Sequence, residues 1–501
     1  MHTSPTLDSF RAWTATLADI DSVASVLSWD RAVSMPVSGS ASRSDQLETL
    51  AALAHRELTR PEIGEILATI LGNRDIDVAT RREAELLSRQ RRRALRLPEG
   101  LVRAISSAES TTFAIWSAAR DRGDWHELRG PLARLVALKR SEAEAISEGA
   151  TAYDGLLDVY EPGASYRSLA PAFDALAVRL RPLVAAGTAH PTDLLPDRMW
   201  PRAQQLQLAY DIAGLIGFDV SQGRIGESAH PFTGTLGDGD VRFSTRIDER
   251  NPVSNVLTVL HEAGHAMYEQ GFSAAFTRSP LRDAPSLGAH EAQARFWENH
   301  IGGTLEFWQL LEPRMQELFP DAMRGISAER LHHSATVVRR SPIRVEADEV
   351  TYNLHVILRF ELEAALIGGT LSVADLPEAW NARTFELLEF TPASYADGVM
   401  QDVHWMEGMF GYFPTYALGN LYAAQLAEAI DVSVGGLADT IARRGFPEIV
   451  EFLRSRVYRF GAMVPTTQLM ETATGVPFGP EALLAHLERR VMVGAGTTLV
   501  H

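Results

Sequence analysis

The chain has 501 residues, 46% of them hydrophobic and none of them cysteine, and its 47 basic against 64 acidic side chains leave a formal charge of −17. That apolar share supplies the core of a soluble globular protein, while the acidic balance argues against nucleic acid as a partner, because phosphate binding needs a basic surface. Without cysteine there is no disulfide framework and no thiolate chemistry, so a bound metal must be held by histidine and carboxylate.

Residues 1–13 carry Asp8 and lack a basic stretch followed by an apolar run, so no secretory signal is read there. No apolar stretch reaches about 18 residues, so no membrane span is expected and the default location is cytoplasmic. From residue 1 to about 215 the pattern is helix after helix. Residues 81–97 and 101–120 place apolar side chains three and four apart on a charged background. Breaks are expected at 36–44, at Pro98-Glu-Gly100 and at 191–201.

The texture changes near Gly217. From there to Pro252 the chain is rich in Gly, Asp, Ser and Thr. Within it, residues 240–247 alternate apolar and polar side chains as a strand does, after the turn-forming Gly237-Asp-Gly-Asp240. Helical periodicity returns at Val253 and persists to about Arg490, with 493–501 expected as a loose tail. No internal repeat or linker stands out, so one domain over 1–501 is expected.

His261-Glu-Ala-Gly-His265 matches H-E-x-x-H. Residues four apart share one helix face, so both imidazoles can reach one ion, and Glu262 is offset toward the attacking water. Pro252 and Gly271 stand where helix ends favour them. A catalytic zinc takes three protein ligands and keeps one position open. Glu291, opening the next helical run in His290-Glu-Ala-Gln293, is the expected third ligand, with His290 as its competitor or as a residue beside the site. With histidine at 15 of 501 positions, chance gives only about 0.04 such motifs in this length. Two surface histidines on a helix are therefore the weaker reading.

The extended stretch 261–271 with His290-Glu-Ala-Gln293 resembles the M32 metallocarboxypeptidases, the carboxypeptidase Taq family. Further segments agree in order: Ser28-Trp-Asp30 with Met35-Pro and Gln46-Leu-Glu-Thr-Leu50, His230-Pro-Phe232, Ile343-Arg-Val-Glu-Ala-Asp348, Gln401-Asp-Val-His-Trp405, and 411–420. The family's D-x-R-x-T motif departs here to Asp240-Val-Arg242-Phe-Ser244, with Thr245 one place later, so a hydroxyl is kept. The resemblance implies a mostly α-helical zinc-peptidase body with a deep substrate groove and a small β-hairpin or sheet beside the active-site helix. It implies residues to about 215 as the helical wall of that groove and about 216–501 as the catalytic part. It also implies a homodimer, one Zn2+ per subunit with Co2+ able to substitute, and removal of single C-terminal residues from peptides, broad in side chain and poor on proline.

A carboxypeptidase must recognise a free carboxylate, which suits the planar fork of arginine. By its place in the family motif Arg344 is the first candidate, weighed against an exposed helix-start arginine near Asp348. Arg242 is the second, weighed against an ion pair with Asp240 or Asp238. The oxyanion of the tetrahedral intermediate needs a donor, for which Tyr412, Tyr416 and His404 are the candidates, with packed polar tips as the alternative. His230 is read as a groove or structural residue, and Trp29 and Asp30 as packing and capping. The strand 240–247 is a candidate to pair with an extended substrate, or else an ordinary hairpin. The expected mechanism has Glu262 take a proton from the attacking water and pass it to the leaving amine. An endo-acting oligopeptidase and a catalytically silent, zinc-stabilised binding protein are the rival readings; retention of Glu262 argues against the second.

Overall fold

The computed structural model describes residues 5–188 and 195–494. Among them, nine helices precede the only sheet: α1 (Pro5–Val33), α2 (Ser40–Thr59), α3 (Pro61–Gly72), α4 (Val78–Arg96), α5 (Glu99–Ala119), α6 (Trp125–Ile146), α7 (Ala152–Tyr160), α8 (Tyr166–Gly187) and α9 (Arg202–Ile216). Their starts follow capping chemistry. Asp77, Asp124 and Thr151 accept main-chain N–H bonds at the openings of α4, α6 and α7, and Ser165 with Ser168 forms a capping box on α8. The break expected at 36–44 is shorter than that: Val37–Gly39 form a 3-10 turn and α2 has begun by Ser40. Part of the break at 191–201 lies outside the described residues, and Leu195–Pro201 is non-helical.

The strand expected at 240–247 is β3 of a three-stranded sheet: β1 (Gly223–Glu227), β2 (Thr233–Gly237) and β3 (Asp240–Thr245). The order is β1-β3-β2, with β1 parallel and β2 antiparallel to β3. β3 is therefore central, with both sets of main-chain bonds used. That corrects the expectation that this strand offers its backbone to a substrate; the edge beside α10 (Pro252–Gln270) belongs to β2.

After α10 come α11 (Leu287–Arg295), continued by a turn of π-helix over Phe296–Ile301, then α12 (Leu305–Leu318), α13 (Ala328–Thr336), α14 (Glu349–Gly368), α15 (Leu376–Leu388) and α16 (Pro414–Val434). The chain closes with α17 (Leu437–Ala442), α18 (Phe446–Arg456), α19 (Thr466–Thr474) and α20 (Glu481–Gly494). Helix α20 takes in the first two residues of the expected tail, and 495–501 lie outside the described residues. No described helix is long and apolar enough to cross a membrane.

One large core runs from α5 to α20, with α10, α14 and α16 buried along most of their length. A helix that is apolar on most faces belongs in such an interior. Helices α1, α3 and α4 close around a separate small core of Phe10, Trp13, Ile63, Leu67, Ile70, Ala84 and Leu87, while α2 buries no residue. The N-terminal helices are thus a layer with its own apolar anchor, set against the main body.

Candidate metal centre

Helix α10 starts at Pro252, where Asn251 Oδ1 accepts the Ser254 N–H at 3.2 Å, and ends at Gly271. His261 and His265 sit one turn apart on it, their rings at 87° and 4.9 Å between centroids. Helix α11, capped by Ser286, runs between α10 and α16. Two glycines set how closely it is held. A Cβ on Gly264 would stand 2.8 Å from Ala294 Cα, and one on Gly419 would stand 2.3 Å from Glu291 Cγ. Any side chain at either place pushes α11 outward.

Held this way, Glu291 Oε2 lies 3.9 Å from His261 Nε2 and 3.6 Å from His265 Nε2. One ligand atom from each of the three residues falls within 4.8 Å of the others. Tetrahedral zinc with bonds near 2.0–2.1 Å wants donors about 3.3 Å apart, so the two carboxylate–imidazole separations fit a zinc-class dication with a few tenths of an ångström of contraction. Arg295 Nε donates to Glu291 Oε1 at 2.7 Å, which leaves Oε2 for the imidazoles. Glu298 Oε2 stands 2.8 Å from His261 Nδ1 and also accepts from Arg295 Nη1 at 3.1 Å. A carboxylate on the far nitrogen fixes the tautomer and orientation of a ligating imidazole. Burial, joined by its cationic neighbours, holds His265 well below the ordinary histidine range, so it is the neutral ring that ligation requires.

Glu262 is 6% exposed, and Thr233 Oγ1 donates to its Oε2 at 2.7 Å. Burial raises the Glu262 carboxyl above its usual range against the opposing pull of His261 and Thr233, which suits a group that must receive a proton. His290 does not join the donor cluster. Its Nε2 stands 3.0 Å from Glu269 Oε1, and its ring stacks on His265 at 4.2 Å. Glu269 is held in turn by Thr235.

Arg344 is 4% exposed and lies on a 3-10 turn ahead of α14, not on an open helix start. Its Nε donates to Asp402 Oδ1 at 3.0 Å and its Nη1 to Tyr352 Oη at 2.9 Å. Arg359 Nε holds the other oxygen of Asp402 at 2.6 Å. Burial works against the charge on Arg344, but Asp402 outweighs it and the guanidinium stays ionised. Of its five N–H groups, some remain for a ligand, and its guanidinium carbon lies 5.0 Å from the centre of the Tyr416 ring. His404 Nε2 is 3.2 Å from Tyr416 Oη, and the rings of Tyr412 and Tyr416 meet edge to face at 5.4 Å. Burial pushes His404 down to about 4 despite Asp402, so it is neutral near pH 7. Arg344, His404, Tyr412 and Tyr416 are therefore one cluster, and Glu291 is close enough to bear on the ionisation of both tyrosines.

Arg242 and His230 find their partners outside that cluster, although His230 lies near enough to act on Glu407, on the same turn as His404. Arg242 makes two bonds to Asp240, at 2.7 and 2.6 Å, and lies over the Trp29 ring. His230 is exposed, and its main-chain carbonyl accepts from Ser228 Oγ at 2.7 Å. Phe232 packs on Trp29 at 5.4 Å, and the buried Ser244 hydroxyl accepts the Phe232 N–H at 3.1 Å. The hydroxyl kept at 244 thus pins the His-Pro-Phe turn. Asp30 lies inside α1 and pairs with Arg43 at 2.7 Å, so it is not a cap.

A cavity of about 1,110 Å³ opens between the N-terminal layer and the main body. Asp21 and Ser25 of α1 and Arg89 and Arg93 of α4 line one side, and Thr235, Glu269 and His290 the other. It reaches Tyr160, whose ring packs against Tyr412 at 5.2 Å. Sequence spacing missed Thr233, Glu298, Arg295, Tyr352 and Asp402. Of these, Asp402 alone lay in a segment already singled out, 401–405.

Residues 9–491 match the family model described as carboxypeptidase Taq (M32) metallopeptidase. The chain is 39% identical to thermostable carboxypeptidase 1 of Thermus thermophilus, over 96% of each chain. It is 33% identical to thermostable carboxypeptidase 1 of Pyrococcus furiosus, over 93% of this chain and 95% of that one. Its fold superposes on the M32 carboxypeptidase of Deinococcus radiodurans with a TM-score of 0.95 at 32% identity, covering 98% of this chain and 100% of the other.

Proposed function

Because the chain belongs to the carboxypeptidase Taq (M32) family and is a metallocarboxypeptidase, we propose that it is a zinc enzyme removing single residues from peptide C-termini, with broad side-chain tolerance and weak action on terminal proline. It works as one peptidase domain and as a cytoplasmic homodimer, with one Zn2+ per subunit that Co2+ can replace. The observation that carries the reading is the convergence of His261, His265 and Glu291 beside a buried, hydroxyl-anchored Glu262.

A dication held by His261, His265 and Glu291 would supply Lewis acidity and lower the pKa of water. The protein's own groups do the rest. The peptide lies in the groove between the N-terminal layer and the body, and its terminal carboxylate meets the free N–H groups of Arg344. Asp402 and Tyr352 fix that guanidinium in advance, so little freedom is lost on binding. Glu262 takes a proton from the attacking water and delivers it to the leaving amine. Tyr416 or Tyr412, with neutral His404 behind, donates to the oxyanion. Arg242 and His230 support the sheet and the groove rim at a distance from the reacting atoms.

Mass spectrometry of a short peptide incubated with purified protein tests this directly. Stepwise loss of single C-terminal residues is expected, abolished by a chelator and by amidation of the C-terminus. Internal cleavage that continues on the amidated peptide would instead assign an endopeptidase.

A further inference from the structure

The π-turn that continues α11 sends two side chains to different places. Glu298 supports His261, and two residues on, His300 meets Glu349 at the opening of α14 and His486 in α20. One ligand atom from each of His300, Glu349 and His486 lies within 4.8 Å of the others. His486 Nε2 stands 2.9 Å from Glu349 Oε1, and the two imidazole rings are 4.1 Å apart between centroids. His300 is 5% exposed, and its ring faces His486 and the Glu349 carboxylate.

The cluster repeats the plan of the catalytic one. There, Arg295 holds one oxygen of Glu291 and the other faces two imidazoles. Here Arg490 holds Glu349 Oε2, while Oε1 faces His486. Arg490 is itself fixed by the main-chain carbonyls of Asn299 at 2.9 Å and Gly303 at 3.2 Å, so it orients the carboxylate from behind. A cavity of about 90 Å³, lined by Glu298, Asn299, Asp348, Glu349 and Arg490, adjoins the cluster on its Glu349 side and leaves room for a small ligand there. Two imidazoles and one carboxylate suit borderline dications such as Zn2+, Co2+ and Ni2+.

We propose that His300, Glu349 and His486 form a second site for a divalent transition-metal ion, one that ties the C-terminal helix to the floor of the catalytic centre. The three ligands come from elements far apart in sequence, so a shared ion clamps α20 onto α14 and onto the turn that carries Glu298. Unlike Glu262 beside His261, the sequence neighbours of these histidines, Asn299 and Ile301 at His300 and Ala485 and Leu487 at His486, carry no carboxylate, and the site is structural.

The test uses the full-length protein, stripped with chelator, re-equilibrated with micromolar Zn2+ alone and desalted. Two zinc ions per chain are expected for the parent and one for each of His486→Ala and His300→Leu. Crystals of the zinc-loaded parent should show anomalous density among the three side chains, a readout that does not depend on the variants folding. One ion per chain in the parent, two in a folded variant, or anomalous density at the catalytic cluster alone would overturn the proposal.

Discussion

Glu298 holds His261 by Nδ1, the ring nitrogen away from Glu291, and so leaves Nε2 to serve as a ligand. Replacing it with Gln keeps the shape and removes the charge. We expect Glu298→Gln to weaken zinc binding about 10- to 100-fold, read by competition with a chromogenic chelator, with activity restored at high zinc. Unchanged affinity would mean that the contact is only packing. At this scale the two candidate imidazole ligands and the proposed base were legible in the sequence because H-E-x-x-H is local to about one helical turn. Glu298 is 37 residues from His261, Thr233 is 29 from Glu262, and Asp402 is 58 from Arg344. Such pairs leave no periodic trace, since the fold alone brings them together. Arg344 shows the cost: by itself the sequence favours an exposed arginine, whereas the side chain is buried among three aromatic rings, of Tyr352, Phe413 and Tyr416, and a carboxylate.

At the scale of elements, the site depends on how tightly α11 is gripped between α10 and α16. Gly419→Ala introduces a methyl group 2.3 Å from Glu291 Cγ, where no flexible side-chain end is available to yield. Overpacking of this kind costs about 1–3 kcal/mol and displaces the third ligand, so we expect Gly419→Ala to lose zinc affinity and turnover together while its circular dichroism stays helical. A variant with full metal content and normal kcat would show that α16 does not set the position of Glu291. The helices were readable from apolar spacing, and β3 from its alternation. Strands β1 and β2 were not, because Gly223-Arg-Ile-Gly-Glu227 and Thr233-Gly-Thr-Leu-Gly237 are short and glycine-rich. With the two outer strands unseen, β3 looked like an available edge.

For the molecule as a whole, stability depends on carboxyls sealed between layers. Glu363 of α14 accepts from Tyr153 Oη at 3.0 Å, Trp405 Nε1 at 2.8 Å and Gly411 N at 3.1 Å, joining three regions of the chain. Burial pushes its carboxyl up to about 8, beyond what those bonds and Arg359 offset. A carboxyl raised on folding holds its proton more tightly in the native state. Its contribution is therefore complete below about pH 4.5 and is lost as pH climbs toward about 8. Gln cannot ionise and keeps the acceptor oxygen. The difference in Tm between Glu363→Gln and parent should move in favour of the variant from pH 5 to pH 8, by an amount equivalent to a few kcal/mol at most. A flat difference would show that Glu363 titrates normally.

The large-scale plan, helical with one catalytic helix and a small sheet beside it, was open to reading because helix periodicity and a single motif carry it. The division of the core was not, since the satellite cluster around Phe10 and Trp13 has the same apolar spacing as the main body. The most direct test of the whole account is Glu262→Gln, measured for zinc content and for peptide turnover on the same sample. The ligands are untouched, so bound zinc should match the parent while kcat falls by about 10²- to 10⁴-fold, the range set by loss of a general base. Turnover equal to the parent with zinc in place would contradict the account at its centre.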